Sequence, residues 1–285
     1  MDEAVLIIDK SVGPSSFDVV RKVRNFVKIK KVGHAGTLDP FATGVLVLLT
    51  GRATKLSNAL INADKRYQAV IKLGESTDSM DCTGKVVETL AVPTLTQAQV
   101  EAVLKSFQGE WHQIPPMFSA KKVQGVRLYE LARKNISIPR ESIPVQLYEL
   151  KLLSLDNQFL KFEVHCSKGT YIRSLADEIA RKLETVGHLV ELRRLSCGGF
   201  SLDDSFTVEQ LINEQTDWKT QGYRNYVKLL SSESAVQTHK PTKPREMEYS
   251  RSFERAELSG GGQGINRFQS SHLPRQINND MSILN

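Results

Sequence analysis

Cysteine is scarce: Cys82, Cys166 and Cys197 are the only thiols in 285 residues, far apart and with no CxxC pair. That argues against a disulfide framework and a structural zinc site. No apolar run approaches the ~20 residues that span a bilayer, which argues against a membrane protein. The start, MDEAVLIIDK, carries acids where a secretory signal carries positive charge, so a cytoplasmic location is expected. There is no HExxH and no GxSxG, and Gly84-Lys85 lacks the earlier glycine and the following Ser/Thr of a phosphate loop. In DSMDCTG (78–84), Met80 and Cys82 stand where a calcium loop needs ligands. Metal, nucleotide and serine-hydrolase chemistry therefore have no carrier in these motifs. A reaction run by side chains, with no cofactor, is expected.

What is present suffices for a core: 40% of the residues are hydrophobic. The length allows one large domain or a main domain with a small appendage. A net charge of +6 permits a polyanionic partner without demanding one.

Residues 4–9 (AVLIID) read as a buried strand, stopped by the turn residues Gly13-Pro14. Ser15 or Ser16 can cap a helix that puts Val19, Val20, Val23, Phe26 and Val27 on one face. Arg21, Arg24 and Lys28 lie opposite, which suits a solvated face as well as an RNA contact. A short helix is predicted over 53–62 and strands over 66–73 and 84–90. Thr96 and Gln99 form a capping box for a helix to about Phe107. Residues 110–122, with Pro115-Pro116, should be irregular. A helix at 126–134 and strands at 144–155 and 159–166 follow. In the last, Leu160, Phe162, Val164 and Cys166 alternate with polar residues, the mark of a half-buried sheet.

A helix over 170–183 puts Ile172, Leu175, Ala176, Ile179 and Leu183 on the core stripe and Arg173 off it, in the first turn. Residues 188–201 read as extended. The class predicted is α+β, a mixed, largely antiparallel sheet with flanking helices. The domain expected is 1–222, with an insertion around 92–140. Beyond it the composition shifts to Ser, Gln, Asn and charge, and 223–285 is expected to be a weakly ordered tail.

Chemistry concentrates in GHAGTLDP (33–40). Gly33, Ala35 and Gly36 allow tight turns and close approach, and Pro40 keeps the preceding residues extended, so one carboxylate, Asp39, is presented on a stiff loop. On composition alone, an Asp-Pro turn with a capping role is the commoner case, in roughly four of five such dipeptides.

The wording of the loop goes further. KKVGHAGTLDPFATGVLVLLTGRATK resembles the catalytic motif of the TruB-type tRNA pseudouridine synthases. DKSVGPSSFDVVRKVR, KRYQAVIKLGESTDSMDCTGKV, VHCSKGTYIRSLADEI and ELRRLSCGGFSL resemble further family segments in the same order. QIPPMFSAKKVQGVRLYELAR (113–133) resembles the stretch that separates this type from other pseudouridine synthases. The resemblance covers about residues 1–215. It implies a cofactor-free isomerase, expected to be monomeric, acting on uridine 55 in the T-loop of tRNA and binding the T-arm. It implies that Asp39 is the essential carboxylate, that Tyr67 stacks on the uracil and that Arg173 pairs with Asp39. Tyr171 would line the pocket, His34 would pack where the base has left the T-loop, and Lys10 and Leu192 would support or line the site. Ser11 stands where many relatives have proline. Nothing in 223–285 reads as the small β-rich PUA-type domain that usually ends family members. Two other readings compete: an RNA chaperone that folds tRNA without chemistry, and a guide-RNA-dependent synthase of related fold.

Overall fold

The computed structural model describes residues 3–237 except 124, 135, 214 and 215. In chain order come β1 (Val5–Lys10), α1 (Ser16–Val27), β2 (Val32–His34) and β3 (Thr43–Thr50), then a 3-10 turn (Gly51–Leu56) and α2 (Ser57–Asn62). Next are β4 (Lys65–Leu73), β5 (Glu75–Thr77), β6 (Val86–Thr89), α3 (Gln97–Lys105), β7 (Gly109–Gln113), β8 (Lys122–Val123), β9 (Val126–Arg127) and α4 (Leu128–Ala132). The described chain ends with β10 (Ile143–Asp156), β11 (Phe159–Cys166), α5 (Ile172–Lys182), β12 (Gly187–Cys197), β13 (Phe200–Ser201), α6 (Val208–Ile212) and α7 (Trp218–Gln237).

The main sheet runs β1-β3-β12-β4-β11-β10-β7, with β2 on β3 and β13 on β12. Only the β12/β3 pair is parallel. The α+β class and the antiparallel bias agree with the sequence reading. In β1 and β3 both faces are buried, because successive side chains point to opposite sides and each side is covered. Leu6, Ile8, Leu46 and Leu48 join the larger core with α1, α3 and α5, while Val5, Ile7, Val45, Val47 and Leu49 join a smaller one with Leu60, Phe200 and Leu229.

Ser15 is the cap of α1, accepting from the Asp18 N–H. Ser16 is thereby left for the loop described below. The predicted helix at 53–62 is divided into the 3-10 turn and α2. The helix predicted over 126–134 is shorter, because Val126–Arg127 pairs with Lys122–Val123 before α4 begins.

Two expectations are corrected. Gly109–Gln113, within the segment expected to be irregular, is a strand paired with Ile143–Leu147. Its prolines fall just beyond it, at 115 and 116, so they remove no ladder hydrogen bond. The stretch from 223 is, through 237, part of a helix docked on the sheet edge. Gly222 permits the contact, since a Cβ there would lie 2.8 Å from Ala4 Cβ and from Leu6 Cδ2. Asn225 Nδ2 donates to the Val5 carbonyl at 3.2 Å, and Leu229 is buried. With Phe206, whose backbone bonds Ile7 and Asp9, α7 covers an edge strand that would otherwise offer unpaired groups. The rest of the expected tail, 238–285, lies outside the described residues.

Candidate active site

Residues 35–42 cross from β2 to β3, and their backbone is held from several sides. Arg194 donates through Nη2 to the Gly36 carbonyl at 3.2 Å and through Nη1 to that of Thr37 at 3.4 Å. Ser16 Oγ donates to the Leu38 carbonyl at 3.0 Å and accepts from the Leu38 N–H at 2.9 Å. The Ala42 N–H closes a turn onto the Asp39 carbonyl at 3.1 Å, and the Gly13 N–H reaches the Pro40 carbonyl at 2.9 Å. Lys10 Nζ donates to Pro40 at 3.2 Å and to Ala42 at 2.7 Å. From Gly36 to Pro40 every carbonyl has a donor, so the loop is rigid for reasons beyond its proline.

This loop presents the Asp39 carboxylate, about a third exposed, to Arg173. Arg173 Nε lies 3.1 Å from Oδ2, and Nη2 lies 3.4 Å from Oδ1. The same guanidinium donates to the carbonyls of Ser79 at 3.1 Å and Phe118 at 2.8 Å and sits 3.5 Å from Asp81 Oδ2. Arg173 does lie off the apolar stripe of α5, yet its side chain is only 6% exposed. The Ser79–Asp81 and Phe118 segments cover it, and helical periodicity carries no information about such a cover.

Burial pushes the Asp39 carboxyl above the usual carboxylate range; Arg173 opposes this and Asp81 reinforces it. An arginine neighbour alone would have made the group more acidic, so the surroundings outweigh the pair. Lys10 is fully buried, and desolvation pulls its ammonium down to about 8, partly offset by Asp39. His34 is also lowered by burial, and its buried Nδ1 has no hydrogen-bond partner among the described residues.

Arg173 is thus brought to the Asp39 carboxylate directly, and Lys10 to the loop carbonyls of Pro40 and Ala42 just after it. Tyr67 stands on β4 between Val164 of β11 and Arg194 of β12, and burial drives its phenol up to about 12. Leu192 is buried two residues before Arg194, its carbonyl 3.5 Å from Thr43 Oγ1. His34 sits on β2, opposite Leu48. Tyr171 is the residue before α5, and its N–H donates to Gln113 Oε1 at 2.8 Å.

Four contributors were missed in the sequence. Asp81, buried, accepts at Oδ1 from Ser79 Oγ at 2.7 Å and from the Thr83 N–H at 3.0 Å, which aims Oδ2 at Arg173. Gln113, fully buried, clamps the turn before α5 by also donating to the Gly169 carbonyl at 2.6 Å. Ser16 and Arg194 hold the Asp39 loop. Only Arg194 left a usable signal: it shares a strand face with the core residue Leu192, where a charge is unexpected.

Comparison with known proteins covers nearly all the described residues. The TruB family pseudouridylate synthase N-terminal domain matches residues 24–172, and the tRNA pseudouridylate synthase B C-terminal domain matches residues 173–237. The chain is 46% identical over 209 residues to tRNA pseudouridine synthase B of Hydrogenovibrio crunogenus, covering 73% of this chain and 69% of that protein. With the protein of the same name from Chlamydia pneumoniae, identity is 49% over 206 residues, 72% of this chain and 86% of that one. Among solved structures, a chain of a Cbf5-Nop10-Gar1 complex is 28% identical with a TM-score of 0.60, and 79% of this chain covers 58% of it. A chain of an H/ACA RNP bound to a substrate RNA containing 2'-deoxyuridine is 26% identical with a TM-score of 0.57, matching 79% of this chain and 57% of that one. This chain thus spans less than two thirds of either solved neighbour.

Proposed function

Because the chain belongs to the TruB family of pseudouridylate synthases, isomerases that form pseudouridine in tRNA, we propose that it isomerises uridine 55 of the T-loop, with Asp39 as the reacting carboxylate. The observation that carries this is the Asp39–Arg173 pair at 3.1 Å, presented by a loop in which every carbonyl from Gly36 to Pro40 has a donor. The C1′–N1 bond breaks, the uracil turns, C5 bonds C1′, and the C5 proton is lost while N1 gains one. Nothing is oxidised or hydrolysed. An ionised carboxylate can add to C1′, add to the ring or take the 2′ proton, and in each case Arg173 favours its charged form and aims it. Pre-organisation of this kind lowers the barrier by removing the need to orient the group during the reaction.

The target base must leave its stack, at a cost of a few kcal/mol. Tyr67, a neutral phenol at physiological pH, offers a ring for the extruded uracil. His34, held neutral by burial, is suited to fill the vacated space in the T-arm. Tyr171 and Leu192 line the pocket, and Lys10 supports the loop from behind. The chain acts as a monomer and needs no cofactor.

A chaperone that only folds tRNA has no use for a carboxylate poised against a buried arginine. A guide-dependent enzyme is disfavoured by identity: 46–49% to the tRNA enzymes above against 26–28% to the RNP chains. The test is to incubate the purified chain with a T-arm transcript, without guide or partner, and map pseudouridine. Modification at position 55 is expected. Its absence, with intact tRNA as well, defeats the proposal.

A further inference from the structure

We propose that Arg194 is a positioning residue that fixes Tyr67 and the Asp39 loop relative to each other. The inference deepens the function proposed above and rests on it, since it takes the roles of Asp39 and Tyr67 from there.

Arg194 lies on β12, the strand between β3 and β4. Its register partner on one side is Gly44, at the end of the Asp39 loop, and on the other side Tyr67. Residues directly opposite each other across a strand pair project from the same face, so the guanidinium and the phenol share one face. The Arg194 charge beside the Tyr67 phenol opposes the upward push of burial on it. The same guanidinium donates through Nε to the Val45 carbonyl at 2.6 Å, besides its bonds to Gly36 and Thr37. It therefore grips the loop on both sides of Asp39.

Gly44 makes this approach possible. With φ +98°, it brings its Cα so close that an added Cβ would lie 2.2 Å from the Arg194 carbonyl oxygen. Arg194 is 1% exposed, and its hydrogen bonds among the described residues run to backbone carbonyls, with no carboxylate among them. A buried cation with no counter-charge is costly, and an apolar residue would fill the space of a sheet interior more cheaply. What an apolar residue cannot supply is a rigid planar fork that reaches three carbonyls at once from the strand position opposite Tyr67. The charge is also felt at Lys10, His34 and Tyr67, three of the residues assigned to the site.

The test uses Arg194→Lys, which keeps the charge and loses the fork, and Arg194→Gln, which keeps a donor and loses the charge. Single-turnover pseudouridine formation, tRNA affinity, thermal unfolding and amide hydrogen exchange are measured on each. A positioning role lowers the single-turnover rate by about tenfold or more, as small misplacements do, with affinity within about threefold. Exchange quickens in 33–45 while 187–197 stays protected, and adding Tyr67→Phe costs less than the product of the two separate losses. An unchanged rate, a loss that follows a uniform rise in exchange, strictly multiplicative losses, or failure of both variants to fold each overturns the proposal. Full activity in Asp39→Asn would instead defeat the functional reading, whatever the Arg194 variants do.

Discussion

Arg173 bridges two carboxylates, standing 3.1 Å from Asp39 and 3.5 Å from Asp81. Asp81 is almost entirely buried, Asp39 opens to solvent, and one guanidinium serves both. The buried acid orients the arginine, and the arginine orients the exposed acid.

Asp39→Asn is expected to abolish pseudouridine formation while tRNA affinity stays within a few-fold. The variant should not lose stability at neutral pH. A carboxyl with a higher pKa in the folded chain than in the unfolded one stabilises the fold while protonated, and that contribution is lost as pH rises through the folded value. Asparagine has no such loss, so its melting temperature should equal or exceed that of the natural chain, by more at pH 8 than at pH 5. A lower melting temperature at pH 8 would show that the ionised Asp39 stabilises the fold.

Asp81→Asn leaves Arg173 with one carboxylate and less constraint. A rate loss of roughly tenfold to a hundredfold is expected, about 1.4 to 2.8 kcal/mol of transition-state stabilisation. The acid limb of the rate–pH profile should move to lower pH, because Asp81 is one of the groups that raise Asp39. A limb that stays in place in single-turnover experiments would show that Asp81 is electrostatically silent.

The alkaline limb should report Lys10. Its ammonium titrates at about 8, so the clamp on Pro40 and Ala42 loses a proton above that pH, and the rate should fall with it. Stability should move the other way. Between about 8 and the ordinary lysine value near 10.4, the unfolded chain holds this proton and the folded chain does not, so this group's contribution to stability rises with pH. Lys10→Met should lower the rate and flatten the limb; a limb near 8 persisting in that variant would assign it to another group.

Truncation separates helix from tail. A chain ending at residue 237 should keep its melting temperature and its turnover. One ending at 223 loses Leu229 from the core and the Asn225 bond to Val5, for about 2 to 5 kcal/mol, and uncovers the edge of β1. Equal melting temperatures for the two chains would show that α7 does not hold the sheet.

Affinity for tRNA should fall as salt rises, because each neutralised phosphate releases counterions. A salt-insensitive dissociation constant would count against a polyanionic substrate.

The sequence by itself determined most of the elements and pointed to the segments that carry the chemistry. The alternation at 160–166, the stripe of α5, the capping box at Thr96 and the wording of GHAGTLDP are local, and local pattern is enough to read them. Tertiary structure alone decided which charges are buried and what they hold. Arg173 looked solvent-facing on its own helix and is covered by loops contributed from 79–81 and 118. Arg194 reaches a carbonyl 149 positions away, and α7 was masked by its polar composition until its contact with β1 showed which face it buries. Buried polar groups must find partners wherever the fold supplies them, and no repeat along the chain records that search.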